Sequence, residues 1–219
     1  MFKMAVDWGY LDQNPAAGIK QVREVIKEAD YLSRKEVVAL LEKCEEHMRP
    51  LLTLVVNTGM RFGELMALQW RDVDEKRSLI TIRDSKNHET RHVPMNSATS
   101  VALAIHRKAQ ARRLGKLVRY VFINPVTGQP YIDVRKAFKK ALATAEIEWP
   151  ITFHQLRHTA ASHMVMSGID RGDVDRILGH KDPNMTLRYT HLAHGYLKGV
   201  IDRLDFLSGE EGHQRRKEG

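Results

Sequence analysis

The sequence predicts an α+β fold, mainly α-helical, in which a helical body surrounds one small three-stranded antiparallel sheet. Three observations point there. Apolar residues recur at helical spacing through most of the chain; the β-prone runs are few and short; and two of them, Leu79–Ile82 and Arg91–Pro94, flank the turn-rich stretch from Asp84 to Glu89 as the arms of a hairpin do.

The first eleven residues read as the end of a helix, which Asn14-Pro15 and Gly18 break into a linker. Ser33-Arg34-Lys35-Glu36 has the S-x-x-E spacing of a capping box, and Val37, Val38, Leu40 and Leu41 carry that helix to about His47. Pro50 suits a first helical turn, where its missing N–H costs nothing, so a helix is expected over Leu51 to Asn57, closed by Gly59. An amphipathic stretch from Phe62 to Trp70 follows. Tyr120–Ile123 is expected as the third strand. Ser97 to Leu114 reads as a helix with a basic outer side, and Asp133 as the cap of another that carries Phe138 and Leu142. After Trp149-Pro150 come three helices, Thr152–Ser167, Arg171–Leu178 and Met185–His191. A last one presents Leu197, Val200, Ile201 and Leu204 at i, i+3, i+4 and i+7, before the polar tail Gly209–Gly219.

Composition narrows the function classes. With 219 residues, 42% hydrophobic and 28% charged, the chain is neither disordered nor fibrous. Its apolar runs fall far short of the roughly 20 residues that span a bilayer, so no membrane helix is expected, and the start lacks the apolar stretch of a signal peptide. The one cysteine, Cys44, cannot form an internal disulfide; beside Leu40 and Leu41 it reads as a buried thiol in a reducing compartment, which points to the cytoplasm. The net charge of +8 is unevenly placed: residues 1–75 carry −3, whereas residues 76–140 carry 15 basic side chains against Asp84, Glu89 and Asp133. So one-sided a block suits a face that meets a polyanion, because neutralising phosphates releases their counterions.

Four segments place reactive or phosphate-binding groups at charged or tight turns: Thr58-Gly59-Met60-Arg61-Phe62-Gly63-Glu64-Leu65, the hairpin turn around Lys86, His154-Gln155-Leu156-Arg157-His158, and Leu178-Gly179-His180 followed by Tyr189. Cleaving a phosphodiester without a metal requires cations for the non-bridging oxygens, an in-line nucleophile, and an acid for the leaving oxygen. Arg61 and Arg157 suit the first task, since a guanidinium grips phosphate through a rigid fork. Glu64, three residues after Arg61, is positioned to orient that guanidinium or its neighbours. His154 and Arg157 are three apart at a helix start, so both can face one phosphate, and His180 follows a glycine at a helix end. Tyr189 offers a phenol, which must shed its proton during attack or be helped by nearby cations.

As an ordered set these segments resemble the tyrosine recombinase (phage integrase) family: an Arg in TGxRxxEL, a Lys on a β-turn, HxxR, LGH, then a Tyr nine residues beyond that His. The resemblance covers about residues 30–207, the catalytic domain of such enzymes, and all six signature positions keep the family's residue types. It implies the fold of the DNA breaking-rejoining enzymes. Residues Met4 to Lys20 resemble the last helix and linker of the family's upstream core-binding domain, so the expected layout is 1–29 upstream end and linker, 30–207 catalytic domain, 208–219 tail. The resemblance implies a site-specific recombinase acting on double-stranded DNA as a homo-oligomer, a tetramer in the synaptic complex, with no cofactor. It assigns Lys86 to protonating the departing 5′ oxygen, His154 to proton handling, and Tyr189 to a 3′-phosphotyrosyl link made without metal or ATP. It also implies a terminal helix that docks on a neighbouring protomer.

Rival readings remain at this stage. His154, His158 and His163 are spaced for a zinc site, although Gln155 stands where a zincin needs its glutamate, so no metal is expected. A DNA-binding module of the same fold that does not cut fits the basic block and the helical pattern equally well, but the intact set of Arg61, Lys86, His154, Arg157, His180 and Tyr189 argues against it; a strand-relaxing enzyme of type IB topoisomerase kind would keep the chemistry and change its use.

Overall fold

The computed structural model describes residues 1–18, 30–83, 90–116, 118–124, 127–180 and 182–193, the side chains of 183 and 184 excepted. The turn bearing Lys86, the helix expected from Leu197 to Leu204, and the tail lie outside the described residues.

Local signals fix most element boundaries. α1 (Phe2–Asp7) buries none of its residues. α2 (Arg34–Lys43) begins with the expected capping box between Ser33 and Glu36. It stops four residues short of His47 because Arg49 takes over its last carbonyls, donating Nε to Leu41 O at 3.0 Å and Nη2 to Glu42 O at 3.3 Å. Cys44 is buried just past that end. α3 (Arg49–Thr58) carries Pro50 in its first turn and ends where Gly59 turns left-handed at φ 64°. Its residues Leu51, Leu52, Leu54 and Val55 form the centre of the main core, packed against α5 (Ser97–Leu114) and α7 (Phe153–Met166).

The sheet departs from expectation. β2 (Leu79–Arg83) and β3 (Thr90–Pro94) form the hairpin, in antiparallel register with Ile80 opposite Val93. The third strand is β1 (Val73–Asp74), paired with β2, and not Tyr120–Ile123. That run makes only isolated bridges, Tyr120 to Gln69 and Ile123 to Pro130. Its backbone is claimed elsewhere: Val121 N donates to Leu68 O at 2.9 Å, and Val121 O accepts from His106 Nε2 and Gln110 Nε2. Segment 68–70 is recruited by the same pairing, so α4 (Phe62–Ala67) ends before Trp70, which opens a short 3₁₀ turn.

α6 (Arg135–Thr144) has Val134 at its cap position; Asp133 contributes from one residue earlier, accepting the Arg135 N–H at 2.8 Å. α7 and α8 (Arg171–Leu178) form as expected, capped by Thr152 with Gln155 and by Asp170. The stretch expected as an α-helix over Met185–His191 is instead 3₁₀, from Pro183 to Ala193. It packs on α7 and α8 and closes a second, smaller core of Ala161, Val165, Val174, Leu178 and Tyr189. Among the described residues no helix is long and apolar enough to cross a membrane.

Candidate active site

The C-terminus of α8 organises the site. Its last carbonyls have no helical partner and carry the negative end of the helix dipole, which favours cations. Three consecutive carbonyls are each taken by a different arginine from a different element. Arg91 on β3 donates Nε to Ile177 O at 3.2 Å, Arg157 on α7 donates Nη2 to Leu178 O at 2.8 Å, and Arg61 at the head of α4 donates Nη2 to Gly179 O at 2.9 Å. Arg157 also donates Nη1 to Gly59 O at 2.7 Å, tying the end of α3 to the end of α8.

Both glycines at this junction are required by geometry. Gly59 and Gly179 adopt left-handed φ of 64° and 67°. A Cβ on Gly59 would sit 2.3 Å from Leu178 Cδ2, and one on Gly179 would sit 2.9 Å from Arg91 Cζ.

Glu64 joins two of the arginines. Its carboxylate accepts both terminal nitrogens of Arg91, at 2.8 and 2.7 Å, and also Arg61 Nη1 at 3.0 Å and Arg61 N at 2.8 Å. Burial pushes the Glu64 carboxyl up, but the hydrogen bonds from Arg91 and Arg61 outweigh it and hold the group below its usual value. Arg157 is almost fully buried, and its burial, with the Arg61 charge next, brings it down to about 10, so it stays cationic at neutral pH.

The Tyr189 ring is buried, 2% exposed, in the second core. Its hydroxyl is in short hydrogen-bond contact with His158 Nδ1. Burial raises the phenol to about 12 against the opposing pull of Arg188 and Arg157, while burial and the neighbouring His154 charge lower His158 to about 4. At neutral pH the phenol therefore carries the proton and donates it to a neutral imidazole. His154 lies exposed on the first turn of α7, edge-on to His158 with ring centroids 4.8 Å apart; burial and the Arg157, Arg188 and Arg61 charges lower its pKa. His180 follows Gly179, with Nδ1 3.0 Å from Asp175 Oδ1 and 2.8 Å from Thr186 Oγ1.

The structure thus brings Arg61, Glu64, Arg157, His154, His180 and Tyr189 around the end of α8, while Lys86 lies outside the described residues. Five neighbours escaped the sequence reading. Arg91 left one signal, sharing the inward face of β3 with Val93 at period two. His158 was visible only as a zinc candidate on the face of His154. Asp175, Thr186 and Arg188 look like ordinary polar positions in the sequence. No group of three metal-ligating side chains is found among the described residues, and His163 Nε2 is committed to Leu32 O at 2.9 Å.

Known proteins resemble this chain in sequence and in fold. The integrase of Salmonella phage P22 is 26% identical over 97% of this chain and 57% of its own length. Tyrosine recombinase XerC of Xanthomonas campestris pv. campestris (strain B100) is 32% identical over 89% of the chain and 61% of its own length. The chain spans between half and two-thirds of the curated relatives it matches. The solved catalytic domain of bacteriophage HP1 integrase superposes with a TM-score of 0.60 at 27% identity, covering 84% of this chain and 100% of that one. The phage integrase family model matches residues 30–195, and the chain belongs to that family.

Proposed function

We propose that this chain is the strand-cleaving part of a site-specific DNA recombinase, which opens and reseals double-stranded DNA in the cytoplasm through a 3′-phosphotyrosyl intermediate. Residues 30–207 form its catalytic domain, 1–29 lead in from an upstream core-binding domain, and 208–219 are a tail. The observation that carries the reading is the Tyr189 hydroxyl held on a neutral imidazole, beside arginines gathered on one helix end. The relatives named integrase and tyrosine recombinase support it.

In this reading the scissile phosphate sits against Arg61 and Arg157. Each guanidinium has five N–H donors, more than its backbone bonds use. Their charges offset the one that builds on the non-bridging oxygens. The Tyr189 oxygen forms a bond to phosphorus as the bond to the 5′ oxygen breaks. The phenol proton passes to His158 Nδ1, with His154 alongside, and the 5′ oxygen takes a proton from Lys86. Glu64 holds Arg61 in register, and His180 faces the phosphate. Because the phosphotyrosyl ester keeps the energy of the broken bond, resealing needs neither metal nor ATP. Two strand exchanges between paired sites require a homo-oligomer, a tetramer in the synaptic complex.

The test is incubation with supercoiled DNA from the source genome in EDTA. Recombinant products that vanish in Tyr189→Phe are expected. Relaxation alone would favour topoisomerase use, and binding without any cleavage would favour a non-cutting module.

A further inference from the structure

His180 is held by a hydrogen-bonded triangle. Asp175 Oδ1 accepts the Thr186 hydroxyl in a short contact, and His180 Nδ1 lies within hydrogen-bond reach of both. A carboxylate oxygen only accepts, and the Thr186 hydrogen is already committed to Asp175, so the remaining hydrogen of the triangle belongs on His180 Nδ1. The tautomer is thereby settled by geometry, and Nε2 is the ring nitrogen left for a ligand.

That arrangement has a chemical consequence. A neutral His180 in this form presents a lone pair at Nε2, which repels a phosphate oxygen; only the imidazolium presents an N–H to it. The groups acting on the ring are Arg157 and His158 from α7, Arg61 from the head of α4 and Asp175 from α8, while Arg91 packs under the preceding residue, Gly179. The Arg157 and Arg61 charges oppose a second proton, His158 is neutral at neutral pH, and Asp175 favours the second proton. We infer that Asp175 is a positioning residue that fixes the Nδ1–H form of His180 and stabilises the imidazolium that donates from Nε2 to the scissile phosphodiester. Burial and the Arg157 charge keep His180 below its ordinary value in the DNA-free site, with Asp175 pulling the other way; the negative charge of an arriving phosphate completes the protonation. Thr186 lies three residues before Tyr189, so the same carboxylate also pins the segment that carries the phenol.

This inference rests on the strand-cleavage reading, but its first test does not need cleavage. In the DNA-free chain with ¹⁵N-labelled histidines, two-bond proton–nitrogen spectra, assigned with His180→Gln, are expected to report His180 protonated at Nδ1. The Nε2–H form would overturn the inference. Asp175→Asn, which keeps the shape and removes the charge, is expected to shift the His180 titration to lower pH; an unchanged titration would overturn it as well. If that variant fails to fold, the wild-type tautomer still decides: His180 protonated at Nδ1 supports the inference and the Nε2–H form overturns it. In covalent trapping on DNA, Asp175→Asn is expected to match wild type near pH 6 and to fall about tenfold behind it near pH 8. A uniform loss across pH would mark a merely structural role. Absence of any adduct in wild type would count against the cleavage reading, leaving the tautomer result to stand or fall separately.

Discussion

The Tyr189 hydroxyl is in hydrogen-bond contact with Nδ1 of His158, a residue 31 positions earlier on α7. The pairing joins a phenol whose pKa is raised to about 12 with an imidazole lowered to about 4, so at neutral pH donor and acceptor are each in the form the bond requires. In the proposed cleavage reaction this pairing would make His158 the acceptor for the phenol proton.

The pair predicts opposite pH limits to stability. Tyr189 ordinarily titrates at 10.0 and in the fold at about 12, so its contribution is complete below pH 10 and is lost as pH rises through 12. His158 ordinarily titrates at 6.5 and in the fold at about 4, so its contribution is complete above pH 6.5 and is lost as pH falls through 4. Tyrosinate absorbance of wild type minus Tyr189→Phe is expected to have its midpoint near 12; a midpoint near 10 would contradict the burial argument.

Gly59 and Gly63 lie four residues apart and are expected to respond in opposite directions. Gly59→Ala places a Cβ in a left-handed backbone against Leu178, and is expected to cost about 2–4 kcal/mol, lowering the melting temperature by roughly 5–15 °C. Gly63 lies inside α4 with nothing within 4 Å of the added Cβ, so Gly63→Ala is expected to be neutral or stabilising by up to about 1 kcal/mol. Equal melting curves for the two variants would contradict this.

Arg91→Ala removes the two-pronged partner of Glu64 and leaves the carboxylate pulling on Arg61 alone. We expect a loss of about 1–3 kcal/mol in stability and a fall of at least about tenfold in covalent adduct formation. Arg91→Lys keeps the charge without the fork and should recover the melt better than the activity. Full activity in Arg91→Ala would show that Glu64 holds Arg61 unaided.

The basic block from 76 to 140 is partly neutralised in the fold: Arg83 pairs with Asp72, Arg107 with Glu75, Lys140 with Glu45 and Arg91 with Glu64. Fewer phosphate contacts are therefore available than the sequence count suggests. Binding to duplex DNA is still expected to weaken with salt, with a logarithmic slope of about −4 or steeper. A flat response would remove the block from the DNA face.

Where a structure is set by neighbours in sequence, the chain declares it: Ser33 with Glu36, Pro50 with Gly59, and the full span of α5 were all legible. Tyr120–Ile123 misled because an extended, apolar run does not reveal who will take its hydrogen bonds, and here His106, Gln110 and Leu68 take them. The site divides the same way. Arg61, Glu64, Arg157, His180 and Tyr189 stand in recognisable local spacings. Arg91 and Asp175 owe their importance to the end of α8 and to a ring nitrogen, relationships that exist only once the chain has folded.

Strand cleavage by Tyr189 is tested most directly by covalent trapping on nicked duplex DNA in EDTA, with mass spectrometry to locate the adduct. A DNA adduct on Tyr189 that disappears in Tyr189→Phe is expected. An adduct on another residue, or none even when an upstream core-binding domain is joined to the chain, would contradict it.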